Sequence, residues 1–375
     1  MNATECESPV RVVSTPQSWI ESEAVRQLYS TAGLQGMKLA VGLPDLHPGR
    51  GWPVGAAFVT QGVIYPPLIG SDIGCGMGLW QTDIPRRKVR LDNWAALPFD
   101  LEQPWEGDLA DWLASERLPS TGFDASLGSL GGGNHFAELQ QVDDVLDASE
   151  FKRLQLSQDR VLLLVHSGSR GLGAAVLRAH LESASNDPVV PGSVTGSKYL
   201  GGHDLAVRWA RSNRRLLAKR FLEMLGAHGL CLWDATHNAI SSEGADLWVH
   251  RKGASPANDK FVVIPGSRGS FSYVVVPDSN LTATAWSLPH GAGRKWSRSQ
   301  SRMRVREHQK AAQLTRTALG SRVICENRDL LYEEAPLAYK NVETVIEDLK
   351  QAGLIRVVAR LRPLLTYKTR SARWE

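Results

Sequence analysis

Apolar and polar positions alternate along this chain in short strand-like runs, broken by a few longer stretches of helical spacing. Five consecutive apolar residues at 161–165 mark a strand buried on both faces, because one-sided burial would interleave polar positions. The runs 261–264 and 272–276 read as two strands joined through Pro265-Gly266-Ser267-Arg268-Gly269, and 355–358 reads as another, followed by a basic tail. Helical spacing appears first at 15–33, where Ile20, Ala24 and Leu28 form a stripe, Thr15 caps, Pro16 suits the first turn and Gly33 stops it. Across 204–225, Leu205, Trp209, Leu217, Phe221 and Leu225 support a long amphipathic helix. Its arginines at 208, 211, 214, 215 and 220 read as a solvated face. A basic helix runs to about residue 319, and Asn341 caps a later helix that Gly353 ends. Between 39 and 55, Pro and Gly interrupt the apolar runs, so this part reads as loops leading into strands. Residues 82–126 are polar, rich in Trp and helical in part. No linker, repeat or low-complexity run divides the chain, which reads as one domain over 1–375.

Composition bounds the picture without deciding it. A chain of 375 residues can bury a sizeable core. Its 43 Lys and Arg against 39 Asp and Glu permit a nucleic-acid partner without demanding one. The basic residues crowd into 208–220 and 294–310. Cys6, Cys75, Cys231 and Cys325 are too scattered for a disulfide scaffold or a Cys-x-x-Cys zinc knuckle, which points to a reducing compartment. The start carries Glu5 and Glu7 without an apolar core, and no apolar run approaches the roughly 20 residues of a membrane span. The expectation is a soluble, cytoplasmic protein with no membrane partner.

The chemistry centres on Ser71-Asp72-Ile73-Gly74-Cys75-Gly76, a carboxylate three residues ahead of a thiol among glycines. Histidines in Gly-rich settings recur downstream at His135, His166, His237 and His290. Asp72, Cys75, His135, His166 and His237 make a donor set for transition metals, and a thiolate can bridge two ions, so a binuclear centre fits. For any one of these histidines a hydrogen-bonded place in the core is an equally good account; it is five donors in like settings that shift the balance. His47, His250 and His308 read as structural, and His180, His203 and His228 as surface or packing residues. His290, beside Gly291, Ala292 and Gly293 and followed by Arg294 and Arg298, suits a ligand, a general base or a nucleophile toward phosphate. Arg170, in the Ser/Gly-rich turn after His166, suits an anion. No Gly-x-x-x-x-Gly-Lys-Ser/Thr loop is present, which argues against nucleotide binding by a P-loop.

Seven blocks taken together carry more than any one of them. Pro44-Asp45-Leu46-His47-Pro48-Gly49, Asp72-Ile73-Gly74-Cys75-Gly76, Gly133-Asn134-His135-Phe136, His166-Ser167-Gly168-Ser169-Arg170-Gly171-Leu172-Gly173, His250-Arg251-Lys252-Gly253, Pro265-Gly266-Ser267 and His290-Gly291-Ala292-Gly293-Arg294 resemble, in order, the RtcB-type RNA ligases over 39–368. The resemblance implies an α+β fold, with mixed and antiparallel sheets around a central metal pocket and helices outside. It implies an enzyme that uses GTP and two Mn2+ ions to join an RNA 3′-phosphate or 2′,3′-cyclic phosphate end to a 5′-hydroxyl end. By the same resemblance Asp72, Cys75, His135, His166 and His237 are the metal ligands, with Cys75 bridging, and His290 is the residue guanylylated. Asn134, Glu138, Ser267, Ser272, Gly291, Ala292, Gly293, Tyr339 and Lys368 fall where the guanylate is held. Arg170, Lys252, Arg294 and Arg298 fall where RNA phosphates or the triphosphate are held.

Departures from the family pattern bear on substrate choice. Pro289 stands where cysteine is usual, Lys295-Trp296 replaces smaller or apolar residues, and Thr236, Arg50 and Trp52 stand where histidine, an aromatic and Phe are common. The short chain resembles the branch coupled to release factor H, which implies repair of cleaved ribosomal RNA, with the ribosome as partner, ahead of tRNA splicing. Two other readings compete: an RNA-end phosphoesterase that never seals, and a non-catalytic RNA- or ribosome-binding module using the basic helices.

Overall fold

The computed structural model describes residues 10–184, 187–279 and 281–372; Glu5, Cys6 and Glu7 lie outside them. Its centre is an eight-stranded sheet. From edge to edge it runs Val262–Ile264, Ser272–Pro277, Ile355–Thr369, Phe136–Val145, Arg160–Ser167, Gly76–Pro85 and Gly229–Thr236, with Arg322–Cys325 added in parallel to Ile355–Thr369. Every pair along that path is antiparallel. Leu162 and Leu164 pack on one face with Leu79, Val142 and the helix Val342–Gln351. Leu163 and Val165 pack on the other with Trp80, Leu217 and Phe221. The unbroken apolar run is therefore buried on both sides, as its spacing requires.

A second sheet orders Val10–Val12, Met37–His47, Val54–Gln61, Leu247–Lys252 and Asn238–Ser242, and a two-stranded ribbon pairs Ala254–Pro256 with Ser287–Pro289. Helices lie outside: the fold is α+β. Residues 39–47, expected as a loop, are strand. The ladder to the neighbouring strand slips between Gly42 and His47, so Pro44 leaves no ladder bond unmade.

Four further expectations are corrected. The first helix spans Ser22–Ala32. Thr15 does not cap it; Thr15 Oγ1 and Ser18 Oγ donate, at 2.6 Å each, to the Asp348 carboxylate of the helix Val342–Gln351. The long helix begins early, at Val194, because Ser193 Oγ accepts from Gly196 N and caps it there. The basic helix stops at His308 and resumes as a short turn at Ala311–Thr315. The basic tail is the far part of the 15-residue strand Ile355–Thr369, where Arg360 and Arg362 pair with Asp143 of the adjacent strand. Among the described residues no helix is long and apolar enough to cross a membrane.

Candidate active site

The register of the large sheet gathers the donors. Gly76 faces both Ser167 and Thr236, and Phe136 faces His166. Cys75, His135, His166 and His237, each within one residue of these positions, therefore emerge together at one end of four adjacent strands. Cys75 Sγ lies 3.4 Å from His135 Nε2 and 3.2 Å from His166 Nε2. His166 Nε2 lies 3.3 Å from His237 Nε2, and Asp72 Oδ2 lies 3.2 Å from His135 Nε2. Asp72 reaches the cluster past Gly168, where a Cβ would stand 2.1 Å from its Oδ1.

The protonation pattern suits a metal. His135 Nδ1 donates to the Leu130 carbonyl at 3.0 Å and His166 Nδ1 to the Asn134 carbonyl at 3.3 Å, so each Nε2 turns a lone pair toward the thiol. Burial holds His166 and His237 well below the ordinary imidazole value, hence neutral and able to ligate. Burial, and then the neighbouring Asp72, push the Cys75 thiol up, a situation that a bound divalent cation reverses. The separations, 3.2–3.4 Å, lie at or slightly below the edge of about 3.3–3.8 Å that four-coordination at ordinary ligand distances imposes. Cys75, His135 and His166 thus form a cluster that could hold a metal ion.

Behind the donors stands the helix Val194–Met224, and here the reading of its arginines as a solvated face needs correction. Arg214 is fully buried. Its Nε and Nη2 grip the Asp234 carboxylate at 2.7 and 2.6 Å, while Nη1 donates to Gly74 O at 2.9 Å and Ser167 O at 3.0 Å. Asn213, also buried, receives Gly128 N on its Oδ1 and donates through Nδ2 to Ser129 O, Ser167 Oγ and Gly168 O. Two adjacent helix residues thus fix the backbone beside Cys75, His135 and His166.

The cluster adjoins a cleft of about 950 Å3, solvent mouth included, lined on one side by His166 and His290. His290 follows the ribbon strand Ser287–Pro289, and its ring lies 5.0 Å from that of His237, centre to centre. Its Nδ1 is 2.7 Å from Oδ2 of Asp45, a fully buried carboxylate. Lys340 Nζ holds the Asp45 segment by donating to Pro44 O at 3.0 Å and Leu46 O at 2.7 Å. Gly293, at φ 74°, is required for the close approach, since a Cβ there would meet Asp45 O at 2.3 Å. His47, read as structural, lines this cleft too, stacked 6.5 Å from His290.

The far wall is built from charged and aromatic groups. Tyr339 donates its hydroxyl to Glu334. Arg294 pairs with Glu334 at 2.9 Å and lies over the Tyr339 ring at 5.2 Å. Burial opposes ionisation of Glu334, yet Lys368 and Arg294 hold its carboxyl down to about 2. Lys368 Nζ donates to Gly133 O at 2.8 Å, and burial lowers it to about 8. Burial raises Glu138 to about 7, against hydrogen bonds from Thr366 and Gln140.

Of the positions singled out in the sequence, Asn134, Glu138, Ser267, Gly291, Ala292, Gly293, Tyr339 and Lys368 line the cleft. Ser272 stands behind it, accepting from Gln140 Nε2 at 3.0 Å while the same nitrogen donates to Glu138 at 2.6 Å. Arg298 sits at the rim with a side chain 56% exposed, 3.9 Å from Glu334. Arg294 spends its donors on Glu334, Tyr339, Ser301 and the Glu333 and Trp296 carbonyls. Arg170, in strained backbone at φ 56°, donates to Ser129 Oγ at 3.3 Å and feels the charge of Asp72. Lys252, at the end of its strand, packs against Gly70 away from the cleft lining. Asp45, Asn213, Arg214, Arg268 and Glu334 were not singled out for the site. Asp45 alone carried a signal, as an acid inside a Pro- and Gly-bounded apolar run.

A thiol and three imidazoles at the end of an antiparallel sheet, opening on a cleft with an aspartate-paired histidine, define an α+β protein with a cleft beside a cluster that could hold a metal ion. The family model described as "tRNA-splicing ligase RtcB" matches residues 27–105 and 110–369. An Escherichia coli protein named RNA-splicing ligase RtcB2 is 48% identical over 96% of this chain and 95% of its own. A Thermococcus kodakarensis protein named tRNA-splicing ligase RtcB is 29% identical over 92% of this chain and 90% of its own. A Mycobacterium bovis protein named RNA-splicing ligase RtcB is also 29% identical, over 90% and 99%. The chain belongs to the RtcB family of RNA ligases.

Proposed function

We propose that this ligase joins RNA 3′-phosphate or 2′,3′-cyclic phosphate ends to 5′-hydroxyl ends through a guanylylated His290, consuming GTP. The observation that carries the reading is the Asp45–His290 pair, with His290 on the lining of the cleft beside the donor cluster. With Nδ1–H donated to Asp45, the lone pair of His290 resides on Nε2. Attack by Nε2 on the α-phosphorus forms a P–N bond and releases pyrophosphate. An oxygen of the RNA 3′-phosphate then displaces the imidazole, and the 5′-hydroxyl displaces GMP and seals the strand. A cyclic end must first be opened by water.

Asp72, Cys75, His135, His166 and His237 would hold two Mn2+ ions. When bound, the ions supply neutralisation of phosphate charge next to His290. Tyr339 offers a ring to stack on the base, Lys368 and Glu138 a donor and an acceptor for its edge, and Asn134, Ser267 and Gly291–Gly293 enclose the guanylate, with Ser272 supporting Glu138 through Gln140. Arg298, Arg170 and Lys252 would take RNA phosphates. Arg294, whose donors are engaged, positions Tyr339 and Glu334. For the substrate we favour cleaved ribosomal RNA over tRNA, in the cytoplasm, with the ribosome and release factor H as partners; the support is the resemblance of the short chain to that branch of the family, while the departures at Pro289 and Lys295-Trp296 bear on substrate choice.

The test is incubation with labelled GTP and Mn2+, followed by ligation of a cleaved ribosomal fragment and a cleaved tRNA. An acid-labile label that disappears in His290→Ala is expected, and a label that persists sinks the nucleophile. Turnover of the cyclic end without GTP use or joined product would indicate a phosphoesterase.

A further inference from the structure

Behind the wall that carries Tyr339 lies a second pocket, of about 560 Å3 with its solvent mouth included. The wall is a single bridge: Arg294 pairs antiparallel with Tyr339, while Lys295 N donates to Ala338 O at 2.8 Å and Lys340 N to Gly293 O at 3.0 Å. Side chains alternate across paired extended segments. Arg294 therefore lines the cleft and Lys295 and Lys340 line the pocket, with Tyr339 bordering both. Cleft and pocket are neighbours across one pair of residues.

Trp19 forms the opposite side of the pocket, on a segment anchored where Thr15 and Ser18 donate to Asp348. It is 44% exposed, and Lys340 Nζ stands 6.0 Å from its ring centre, at the outer limit of a cation–π contact, so the lysine does not cover the ring. Lys295 is exposed, leans on the Trp296 ring at 5.4 Å and has no carboxylate partner among the described residues. Lys340 spends two of its three protons on the Pro44 and Leu46 carbonyls. Burial lowers it to about 8, and a phosphate alongside would favour its charged form. Asp348, the acid on this lining, is buried and already receives two hydroxyls. The accessible part of the pocket is thus an open indole face with two cations and no acid free to answer them.

We infer that this pocket is a subsite for single-stranded RNA, in which a nucleotide next to the reacting end stacks its base on Trp19 and sets a phosphate against Lys295 and Lys340; the inference rests on the RNA-end joining proposed above. An aromatic platform beside cations suits a single strand, because every base has a face to stack and every link carries a phosphate. A duplex keeps those faces covered. The place in the fold favours the substrate over a free nucleotide: a strand whose end lies at His290 leaves the cleft over its rim, and Lys295 directly follows Arg294 on the wall between the two spaces.

The experiment measures binding by the full-length protein with Mn2+. The probes are a single-stranded octanucleotide and a dinucleotide, both with 5′-hydroxyl and 3′-phosphate ends and without GTP, and then GTP by itself. Wild type is compared with Trp19→Ala, Trp19→Phe and Lys295→Gln, and each protein is melted without ligand. Wild type should bind the octanucleotide more tightly than the dinucleotide. Trp19→Ala should weaken the octanucleotide roughly 10-fold, the loss expected for one stacked base, with the dinucleotide, GTP and the melting temperature unchanged. Trp19→Phe should restore most of the affinity. For Lys295→Gln the slope of log affinity against log salt should flatten by about 0.7, the share of one phosphate contact on a single strand. Octanucleotide binding untouched by Trp19→Ala overturns the inference and leaves the pocket to a protein ligand. An equal loss for the dinucleotide marks a structural role and a loss for GTP marks a free-nucleotide site; either overturns it. Wild type that binds RNA of neither length overturns the RNA-end reading as well.

Discussion

Asp45 and His290 lie 245 positions apart in the chain and 2.7 Å apart in space. The carboxylate accepts from Nδ1, which leaves the lone pair on Nε2, and in the proposed reaction it would stabilise the charge that a bond from Nε2 to phosphorus creates. Asp45→Asn preserves the shape and removes the charge. Histidine guanylylation should fall on the order of 100-fold or more, read from the rate of label uptake at saturating GTP, with folding intact by thermal melting. Glu138 predicts a pH effect. Its folded pKa of about 7 lies above the ordinary 4.5, so its contribution to stability is full below pH 4.5 and gone above about pH 7. A shift of that size is worth on the order of 3 kcal/mol. Denaturant titrations of the metal- and nucleotide-free protein should show wild type losing stability against Glu138→Gln between pH 4.5 and 7. Parallel pH curves would contradict this.

At the scale of elements, the helix Val194–Met224 and the sheet end work as one part. Arg214 joins Asp234, Gly74 and Ser167, so its loss strands a largely buried carboxylate and frees the loops behind Cys75 and His166. Arg214→Met should cost roughly 3–5 kcal/mol in denaturant titrations. Pairing it with Asp234→Leu should restore much of the stability while metal affinity, measured by titration, stays weak. If affinity returns with stability, the clamp matters only for folding. This arginine shows what a sequence conceals. Helical periodicity marks which positions share a face, but the wide polar sector of a long helix does not say that one of its arginines faces backbone carbonyls inside the protein. The strand 161–165 was legible because burial on both faces leaves an unbroken apolar run. The cluster of Cys75, His135 and His166 was legible because each sits close to glycines at a strand end, whereas His237 has no glycine near it. The strand Ile355–Thr369 was half hidden, because its arginines pair with Asp143 on the neighbouring strand and look in isolation like a solvated tail. Asp45 carried a signal as an acid in an apolar run, but its pairing with His290 was hidden by their distance along the chain.

Over the whole molecule, the four strand ends that present Cys75, His135, His166 and His237 come from segments separated by as many as 162 positions in the numbering. A metal that binds them ties those segments together only in the folded state. Mn2+ at a hundredfold excess over its Kd should therefore add about 2.7 kcal/mol to unfolding. Chelation should remove that gain, and Cys75→Ser should largely abolish it; a melting temperature indifferent to Mn2+ in wild type would count against the site.

The pairing that sets Gly76 opposite Ser167 and Thr236 has one more consequence. Side chains along a strand alternate between faces, so a slip of a single residue would swing a donor to the opposite side of the sheet and displace it by about 3.3 Å. A chain with any of these strands mispaired would present a broken ligand set. A metal bound at this cluster would thus report on the register of the sheet, since a misregistered chain would lack the ligand set that Cys75, His135 and His166 form.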